Sequence, residues 1–241
     1  MGIAGHTARV TPLFSSTREY FRRYLTDGPA EFSVTVTRED IAFEQADLLE
    51  EARREGFRPR VFTDPFLERA AIQRAFAEYL FDHDILMLHG SAVALDGKGY
   101  LFAARSGTGK STHTRMWLDR FGERAFMIND DKPFIRLSGD EPTIYGSPWS
   151  GKHGLDTNTC VPLRGICLLE RGKENIITPA QASQLLPILA AQGYCPLGLQ
   201  RQERYPQLLR QLLGQVPLWH LRCTPTPQAA EIAASAMAGT Q

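Results

Sequence analysis

The stretch Gly99-Tyr-Leu-Phe-Ala-Ala-Arg-Ser-Gly-Thr-Gly-Lys-Ser111 carries the strongest signal in this sequence, because an apolar run leads directly into a glycine-bearing turn. Residues 104–111 follow the phosphate-binding loop pattern, which ends in Gly-Lys-Ser. The apolar run predicts a strand, and residues 110–121 predict a helix that Gly122 ends. A strand, turn and helix in this order direct backbone N–H groups and the positive end of the helix toward one anion. The sequence therefore predicts a nucleoside triphosphate site.

Individual residues of this loop have distinct predicted roles. Gly107 and Gly109 carry no Cβ and tolerate positive φ, so a phosphate can approach the backbone closely. The side chain of Lys110 is expected to reach the terminal phosphates, and the Ser111 hydroxyl is expected to ligate Mg²⁺. The predicted nucleotide-binding residues are Ser106, Gly107, Thr108, Gly109, Lys110, Ser111 and Thr112.

Two adjacent carboxylates form the second feature. Asp130 and Asp131 follow an apolar strand predicted over residues 125–128, about twenty residues after Lys110. Neighbouring residues on a strand point in opposite directions, but a turn at the strand end can present both. One carboxylate can then act on a metal while the other takes a proton from an attacking hydroxyl. The alternative is an ordinary surface turn, where Asp-Asp pairs are common.

A histidine and a polar loop complete the candidate site. His89 stands within the apolar run of residues 85–95 and is either a phosphoryl contact or a structural histidine. Neither His83 nor His113 stands at a recognised metal-ligand spacing from it, which disfavours zinc. The loop over residues 145–154, with Ser150 and Lys152, either clamps phosphate or substrate or is a plain exposed loop.

Whole-chain composition describes a globular protein with a sizeable core. Of 241 residues, 43% are hydrophobic and 22% are charged, and 27 basic residues balance 27 acidic ones. Zero net charge predicts no general attraction to nucleic acid or to an anionic membrane. The four cysteines show no C-x-x-C pairing, and no segment is typical of a signal peptide or a membrane span. We therefore expect reduced thiols and a cytoplasmic location.

The pattern along the chain predicts an α/β protein. Residues 31–37 predict a strand, residues 44–55 a helix, and Asp96-Gly97 a turn between two antiparallel strands. Toward the C-terminus we expect a helix after a capping box at residues 178–181, another helix that begins at Pro206, a strand over residues 218–221 and a last helix from Pro227.

These motifs together resemble the HPr kinase/phosphorylase family, whose phosphate loop is shared with phosphoenolpyruvate carboxykinases. His89-Gly90, the loop at residues 104–111 and the pair Asp130-Asp131 occur in the family's order, and the resemblance covers about residues 80 to 170. It implies that Asp130 is the general base for a serine-type hydroxyl. It also implies that Asp131 and Ser111 surround the metal, and that His89 contacts the transferred phosphoryl group.

The same resemblance implies a mixed central sheet with flanking helices, in an HPr kinase/carboxykinase-like phosphate-loop fold. We expect a phosphotransferase domain over residues 63–241 and an N-terminal β/α extension over residues 1–62, which either recognises the substrate or packs on the core. Ala104 replaces the family's first loop glycine, and Pro162 replaces an acidic residue of its signature. These departures favour the small stand-alone kinases of this kind, whose acceptors are proteins, peptides or small hydroxyl compounds.

The sequence thus predicts a kinase that uses ATP and Mg²⁺, with Lys110, Asp130, Asp131 and His89 as its catalytic residues. A nucleotide-gated binding module without an acceptor is the alternative from another class, and a member that keeps only the fold is a third. We expect neither nucleic acid nor a membrane as a partner. Because related kinases are often hexameric, a homo-oligomer is left open.

Overall fold

The computed structural model describes residues 1–54, 56 and 58–239. The chain separates into two compact units, Met1–Tyr79 and Leu80–Gln241. The functional division expected after residue 62 stays a prediction. Among the described residues, no helix combines the length and the apolar character needed to cross a membrane.

In its described residues, the first unit contains a small sheet and three α-helices. Strand β1 (Gly2–Ile3) pairs antiparallel with β2 (His6–Thr11), which pairs parallel with β3 (Phe32–Thr35). Its helices are α1 (Ser15–Tyr20), α2 (Arg38–Arg54) and α3 (Asp64–Phe81), and the last two residues of α3 belong to the second unit. Helix α2 begins six residues before its predicted start, and Glu55, its predicted last residue, lies outside the described residues.

The second unit is built on one large sheet. Its strands are β4 (Ile85–Met87), β5 (Ser91–Leu95), β6 (Lys98–Ala103), β7 (Ala125–Asn129), β8 (Phe134–Arg136), β9 (Thr143–Tyr145), β10 (Cys160–Arg171), β11 (Ile176–Pro179) and β12 (Leu218–Cys223). Its helices are α4 (Lys110–Phe121), α5 (Ala182–Gln192), α6 (Leu199–Gln215) and α7 (Pro227–Gly239).

Strand β10 joins two parts of this sheet. Its first residues pair antiparallel with β9, which continues through β8 to β4. Its later residues pair parallel with β6 on one side and with β12 on the other. Beyond β6 lie β5 and β7, each antiparallel to its neighbour, and β11 pairs antiparallel with β12. The architecture is therefore the predicted mixed α/β arrangement, with a mixed central sheet and flanking helices.

Helices cover both faces of the central strands. On β5, Ala92 and Ala94 pack in one apolar cluster with the leucines of α5 and α6. Val93 and Leu95 pack in a second cluster with Trp117 of α4 and with α7. Because both faces are buried, the residues of β5 from Ala92 to Leu95 are all apolar instead of alternating with polar residues.

Local signals located some elements correctly and others wrongly. The Asp96-Gly97 turn is confirmed: both residues have positive φ, 50° and 75°, and Leu95 pairs with Lys98 across it. The predicted bounds of α4 are also confirmed, since the helix ends at Phe121 and Gly122 follows with φ 54°.

Two helix starts were predicted wrongly. The capping box is formed by Gln181 and Gln184, while Thr178 belongs to β11. Pro206 lies inside α6, which begins at Leu199. A proline inside a helix removes one backbone hydrogen bond. Here the buried face of α6 offsets that loss with Tyr205, Leu208, Leu209, Leu212 and Leu213.

Candidate functional site

The phosphate loop, residues 104–111, connects β6 to α4. Gly107 and Gly109 have φ values of 74° and 121°, a region in which a side chain is strained, so the glycines are required by the backbone. Lys110 begins α4, is 9% exposed, and donates from Nζ to the Ala104 carbonyl at 3.2 Å. The lysine side chain therefore lies back over the loop that precedes it.

Arg171, at the end of β10, holds this loop from outside. Its Nη2 donates to the Gly107 carbonyl at 2.6 Å and its Nε donates to the Thr108 carbonyl at 3.2 Å. In a planar trans peptide the N–H points opposite to the carbonyl, so the Gly109 N–H is directed away from Arg171. The sequence interpretation missed Arg171. The only available signal was a basic residue at the end of a strand, and its pairing with β6 was not visible.

Sheet topology brings the carboxylate pair to the same edge as the phosphate loop. Strands β6 and β7 are both antiparallel to β5, so they run in the same direction and their carboxyl ends lie at one edge. Asp130 and Asp131 follow β7 directly, the phosphate loop follows β6, and His89 precedes β5 at that edge. The elements that carry the predicted catalytic residues therefore converge.

Asn129 creates the turn that presents both carboxylates. It is fully buried, and its Nδ2 donates to the Ser147 carbonyl at 2.8 Å and to the Ser147 hydroxyl at 3.0 Å. Its Oδ1 accepts from the backbone N–H groups of Asp131, at 2.8 Å, and Lys132, at 2.6 Å. A side-chain oxygen that accepts from residues two and three positions ahead forms an Asx-type turn. We call residues 129–132 the carboxylate turn.

Asp130 is tied to the helix that begins at the phosphate loop. The Ser91 hydroxyl donates to Asp130 Oδ1 at 2.6 Å and lies 2.7 Å from the Thr114 hydroxyl of α4. A carboxylate only accepts, so the Ser91 proton is used on Asp130 and Thr114 donates to Ser91. Asp130 is 8% exposed, and Ser91 and Thr114 are fully buried. This buried chain fixes the position of the carboxylate relative to α4.

Asp131 contacts His89, and the positive charges of two lysines act on its carboxylate. His89 Nε2 is 3.3 Å from Asp131 Oδ1, and Lys132 Nζ is 3.9 Å from the same oxygen. Burial raises the pKa of Asp131, and the charges of Lys132 and Lys110 oppose that rise. Burial, and then the charges of the same two lysines, lowers the pKa of His89, so its imidazole is neutral at pH 7. Lys110 thus acts electrostatically on both groups.

The loop over residues 146–157 accepts backbone hydrogen bonds from the carboxylate turn. Asp130 donates its N–H to the Leu155 carbonyl at 3.1 Å, and Lys132 donates its N–H to the Trp149 carbonyl at 3.2 Å. A Cβ placed on Gly151 would meet the Asp131 Cβ at 3.4 Å. Ser150 is buried and donates to Asp156 at 2.6 Å, so it has a structural partner, whereas Lys152 is exposed.

The two residues predicted to hold a metal, Ser111 and Asp131, both carry oxygen donors. Among the described residues, no group of three His, Cys, Asp or Glu side chains could hold a metal ion. Magnesium in phosphotransfer sites is usually held by one or two protein oxygen ligands together with phosphates and water. Ser111 and Asp131 are oxygen donors of this kind, and their joint role as ligands stays a prediction.

A cavity of about 360 Å³ lies beside the phosphate loop, on the side away from the carboxylate turn. It is lined by loop residues Thr108 and Gly109, by one face of α4, by the end of β10 and by the residues around the end of β12. The strands β6, β10 and β12 are parallel, so the cavity opens at their carboxyl ends, where ligands commonly bind in α/β sheets. The sequence interpretation did not find this cavity.

Comparison with known proteins adds little to this geometry. No protein-family model matches the chain, and no curated protein matches it in sequence. A similar solved structure is the Hpr(Ser) kinase/phosphatase from Coxiella burnetii, with 11% identity and a TM-score of 0.38 over 64% of this chain and 93% of that chain. A likeness this distant supports no conclusion about function.

Proposed function

We propose that this protein is an ATP- and Mg²⁺-dependent kinase that transfers the γ-phosphoryl group to a serine-type hydroxyl on a protein, a peptide or a small molecule. The observation that supports it is the convergence of the carboxylate turn with the phosphate loop, through the buried contact of Asp130 with Ser91 and of Ser91 with Thr114.

Backbone N–H groups of the phosphate loop and the positive end of α4 would bind the phosphates, and Lys110 would offset their charge. Mg²⁺, when bound, would neutralise charge on the β- and γ-phosphates, with Ser111 and Asp131 as its protein ligands. Neutral His89, held beside Asp131, suits a hydrogen-bond contact with the transferred group. Catalysis would then consist chiefly of positioning and charge stabilisation.

Asp130 would take the acceptor proton. The acceptor oxygen forms a bond to the γ-phosphorus, the bond from that phosphorus to the bridging oxygen breaks, and ADP leaves. The hydroxyl proton passes to the carboxylate of Asp130. Since Oδ1 already accepts from Ser91, Oδ2 is the oxygen proposed to receive it.

Asp130→Asn tests this assignment. The amide cannot act as the base, so transfer should fall by roughly 10² to 10⁴-fold while ATP affinity stays within about twofold. The measurement combines label transfer from γ-labelled ATP to a panel of serine peptides and small alcohols with calorimetric titration of Mg·ATP. Asp119→Asn, an exposed carboxylate on the same α4, is the matched control.

Two outcomes would contradict the proposal. Near-normal transfer by Asp130→Asn would remove Asp130 as the base. Slow release of free phosphate by the wild type, with no label in any acceptor, would favour the nucleotide-gated binding module instead.

A further inference from the structure

Arg171 stands beside the phosphate loop because β10 extends beyond the end of β6. The two strands pair in parallel as far as Leu168 and Ala103, and β10 then continues to Arg171 alongside the loop. There β10 is still paired with β12: Arg171 lies opposite Cys223, and the Gly172 N–H donates to the Cys223 carbonyl at 2.9 Å. The guanidinium therefore extends from backbone that the sheet fixes in place.

The carbonyl groups of the phosphate loop are held in two different ways. The Arg105 carbonyl accepts from the Thr108 N–H at 3.2 Å and from the Thr108 hydroxyl at 2.8 Å, so this part of the loop closes on itself. The carbonyls of Gly107 and Thr108 accept instead from Arg171, from Nη2 at 2.6 Å and from Nε at 3.2 Å. The two peptide groups that follow Gly107 and Thr108 are thus fixed by a side chain that is distant in sequence.

These two peptide groups need a constraint from outside, because the glycines beside them supply none. Gly107 and Gly109 have φ values of 74° and 121°, and a residue without Cβ adopts positive and negative φ about equally well. A Cβ built on either glycine would meet no described atom within 4 Å, so packing does not restrict them. Without Arg171, little would hold the peptide between Thr108 and Gly109 in one orientation.

The orientation of that peptide decides where the Gly109 N–H points. In a trans peptide the N–H is opposite the carbonyl, so Arg171 on the Thr108 carbonyl directs the Gly109 N–H to the other face of the loop. A charged donor on the carbonyl also polarises the peptide and strengthens its N–H as a donor. A guanidinium reaches two neighbouring carbonyls with two donors in one rigid plane, whereas the ammonium of a lysine is a single point charge.

We propose that Arg171 is a positioning residue of the triphosphate site, which holds the phosphate loop in the conformation that presents the Gly109 N–H to a phosphate. The inference rests on the proposed function, which assigns the triphosphate to this loop. It adds that the loop depends on β10 for its binding conformation. Affinity for phosphate should then decrease in proportion to the fraction of molecules whose loop has left that conformation.

The test replaces Arg171 and measures the binding of phosphates with and without a nucleoside. Mg²⁺ complexes of ATP and of inorganic tripolyphosphate are titrated by calorimetry into the wild type, Arg171→Met and Arg171→Lys. We expect both variants to bind both ligands about tenfold more weakly, because the two ligands share the loop. Lysine should not restore binding, since it keeps the charge but lacks the rigid pair of donors. Arg222→Met, which removes an exposed arginine from the neighbouring β12, is the matched control and should bind as the wild type does.

Two further measurements separate positioning from a general loss of structure. Arg171 is exposed, so its replacement leaves the core intact and thermal unfolding should change little. Glycine-selective nitrogen-15 labelling follows the Gly109 amide in the ligand-free protein. Its resonance should shift in both variants, while that of Gly214, in α6, stays in place. An unchanged Gly109 resonance would contradict the proposal. If Arg171→Met does not fold, Arg171→Lys, which keeps the charge and a long side chain, still decides the question.

The inference is overturned if Arg171→Met binds tripolyphosphate as tightly as the wild type does, or if Arg171→Lys has full affinity, because charge alone would then suffice. It is also overturned if only ATP binds more weakly, since Arg171 would then contact the nucleoside instead of acting through the loop. In each of these results the wild type binds both ligands, and the proposed phosphate site stands. If the wild type binds neither ligand, the proposed function itself fails, and this inference fails with it.

Discussion

On one side of β6, the carboxylate turn presents charged, hydrogen-bonded groups, whereas on the other side the cavity presents mainly apolar walls. Both lie at the same edge of the sheet and both border elements that begin or end at the phosphate loop. Phosphoryl transfer needs charge placed within fractions of an ångström, while a largely apolar part of a ligand needs surface area and one or two polar contacts. The two sides therefore differ in the chemistry that their residues suit: placed charge on one side and apolar contact surface on the other.

Lys110 begins the helix that follows the phosphate loop, and its charge acts on both His89 and Asp131, so its loss should have the largest effect. Lys110→Ala removes the charge that faces the terminal phosphates, and transfer should fall by about 10³-fold or more. Nucleotide affinity should fall as well, because the same charge acts on the bound triphosphate.

Initial rates of label transfer and calorimetric titration measure these two quantities. Lys98→Ala, in the hairpin that precedes the loop, is the matched control and should behave as the wild type does. Retention of a tenth or more of wild-type transfer by Lys110→Ala would show that the phosphates bind elsewhere.

Two asparagines allow the two sides to be perturbed separately. Asn129 organises the carboxylate turn, and Asn175 organises the segment at Thr224 beside the cavity. Asn129→Ala should lower kcat at least tenfold with little change in KM for ATP, because it releases the turn that carries the two aspartates. Asn175→Ala should raise KM severalfold and leave kcat nearly unchanged.

Steady-state kinetics over a range of ATP concentrations gives both parameters for each variant. Thermal unfolding must also be followed, because the loss of a buried asparagine that makes several hydrogen bonds lowers the free energy of unfolding by about 2–4 kcal/mol. If both variants change kcat and KM alike, the two sides do not act separately.

The titration of His113 should give the smallest effect, a change in the free energy of unfolding with pH. Its pKa is about 4 in the folded protein and near 6.5 when exposed, so the unfolded chain binds a proton that the native protein does not. The free energy of unfolding should therefore decrease as pH falls from about 6.5 to 4, and this contribution should be fully present above pH 6.5. At about 1.4 kcal/mol per pKa unit the loss approaches roughly 3 kcal/mol.

Urea unfolding of the wild type and of His113→Phe at several pH values measures this contribution. The other titrating groups are the same in both proteins, so their effects cancel when the two free energies of unfolding are subtracted. The wild type should lose stability relative to the variant on acidification. A difference that does not change between pH 7 and pH 4.5 would contradict the burial of a neutral imidazole.

The phosphate loop and the carboxylate pair were visible in the sequence, whereas the cavity was not. The phosphate loop, α4 and the Asp96-Gly97 hairpin depend on residues that are close in sequence, so local patterns predicted them. Asp130 and Asp131 were identified as a pair, but the Asn129 side chain that orients them was not. Its partner Ser147 is eighteen positions away.

Elements that depend on distant pairing escaped prediction. The cavity exists because β10 pairs with both β6 and β12, and Arg171 reaches the loop through the same pairing. Nothing in a single sequence fixes that register. The wrong start of α6 at Pro206 has the same origin, because burial of its leucine face overrides the local preference of proline.

The proposed activity requires that one triphosphate lie between the phosphate loop and the carboxylate turn. A crystal structure with a non-hydrolysable ATP analogue and Mg²⁺ measures this directly. We expect the γ-phosphate within hydrogen-bond distance of Lys110 Nζ and on the side of the loop that faces Asp130 and Asp131. A γ-phosphate directed away from Asp130 and Asp131, beyond the reach of either side chain, would contradict the account.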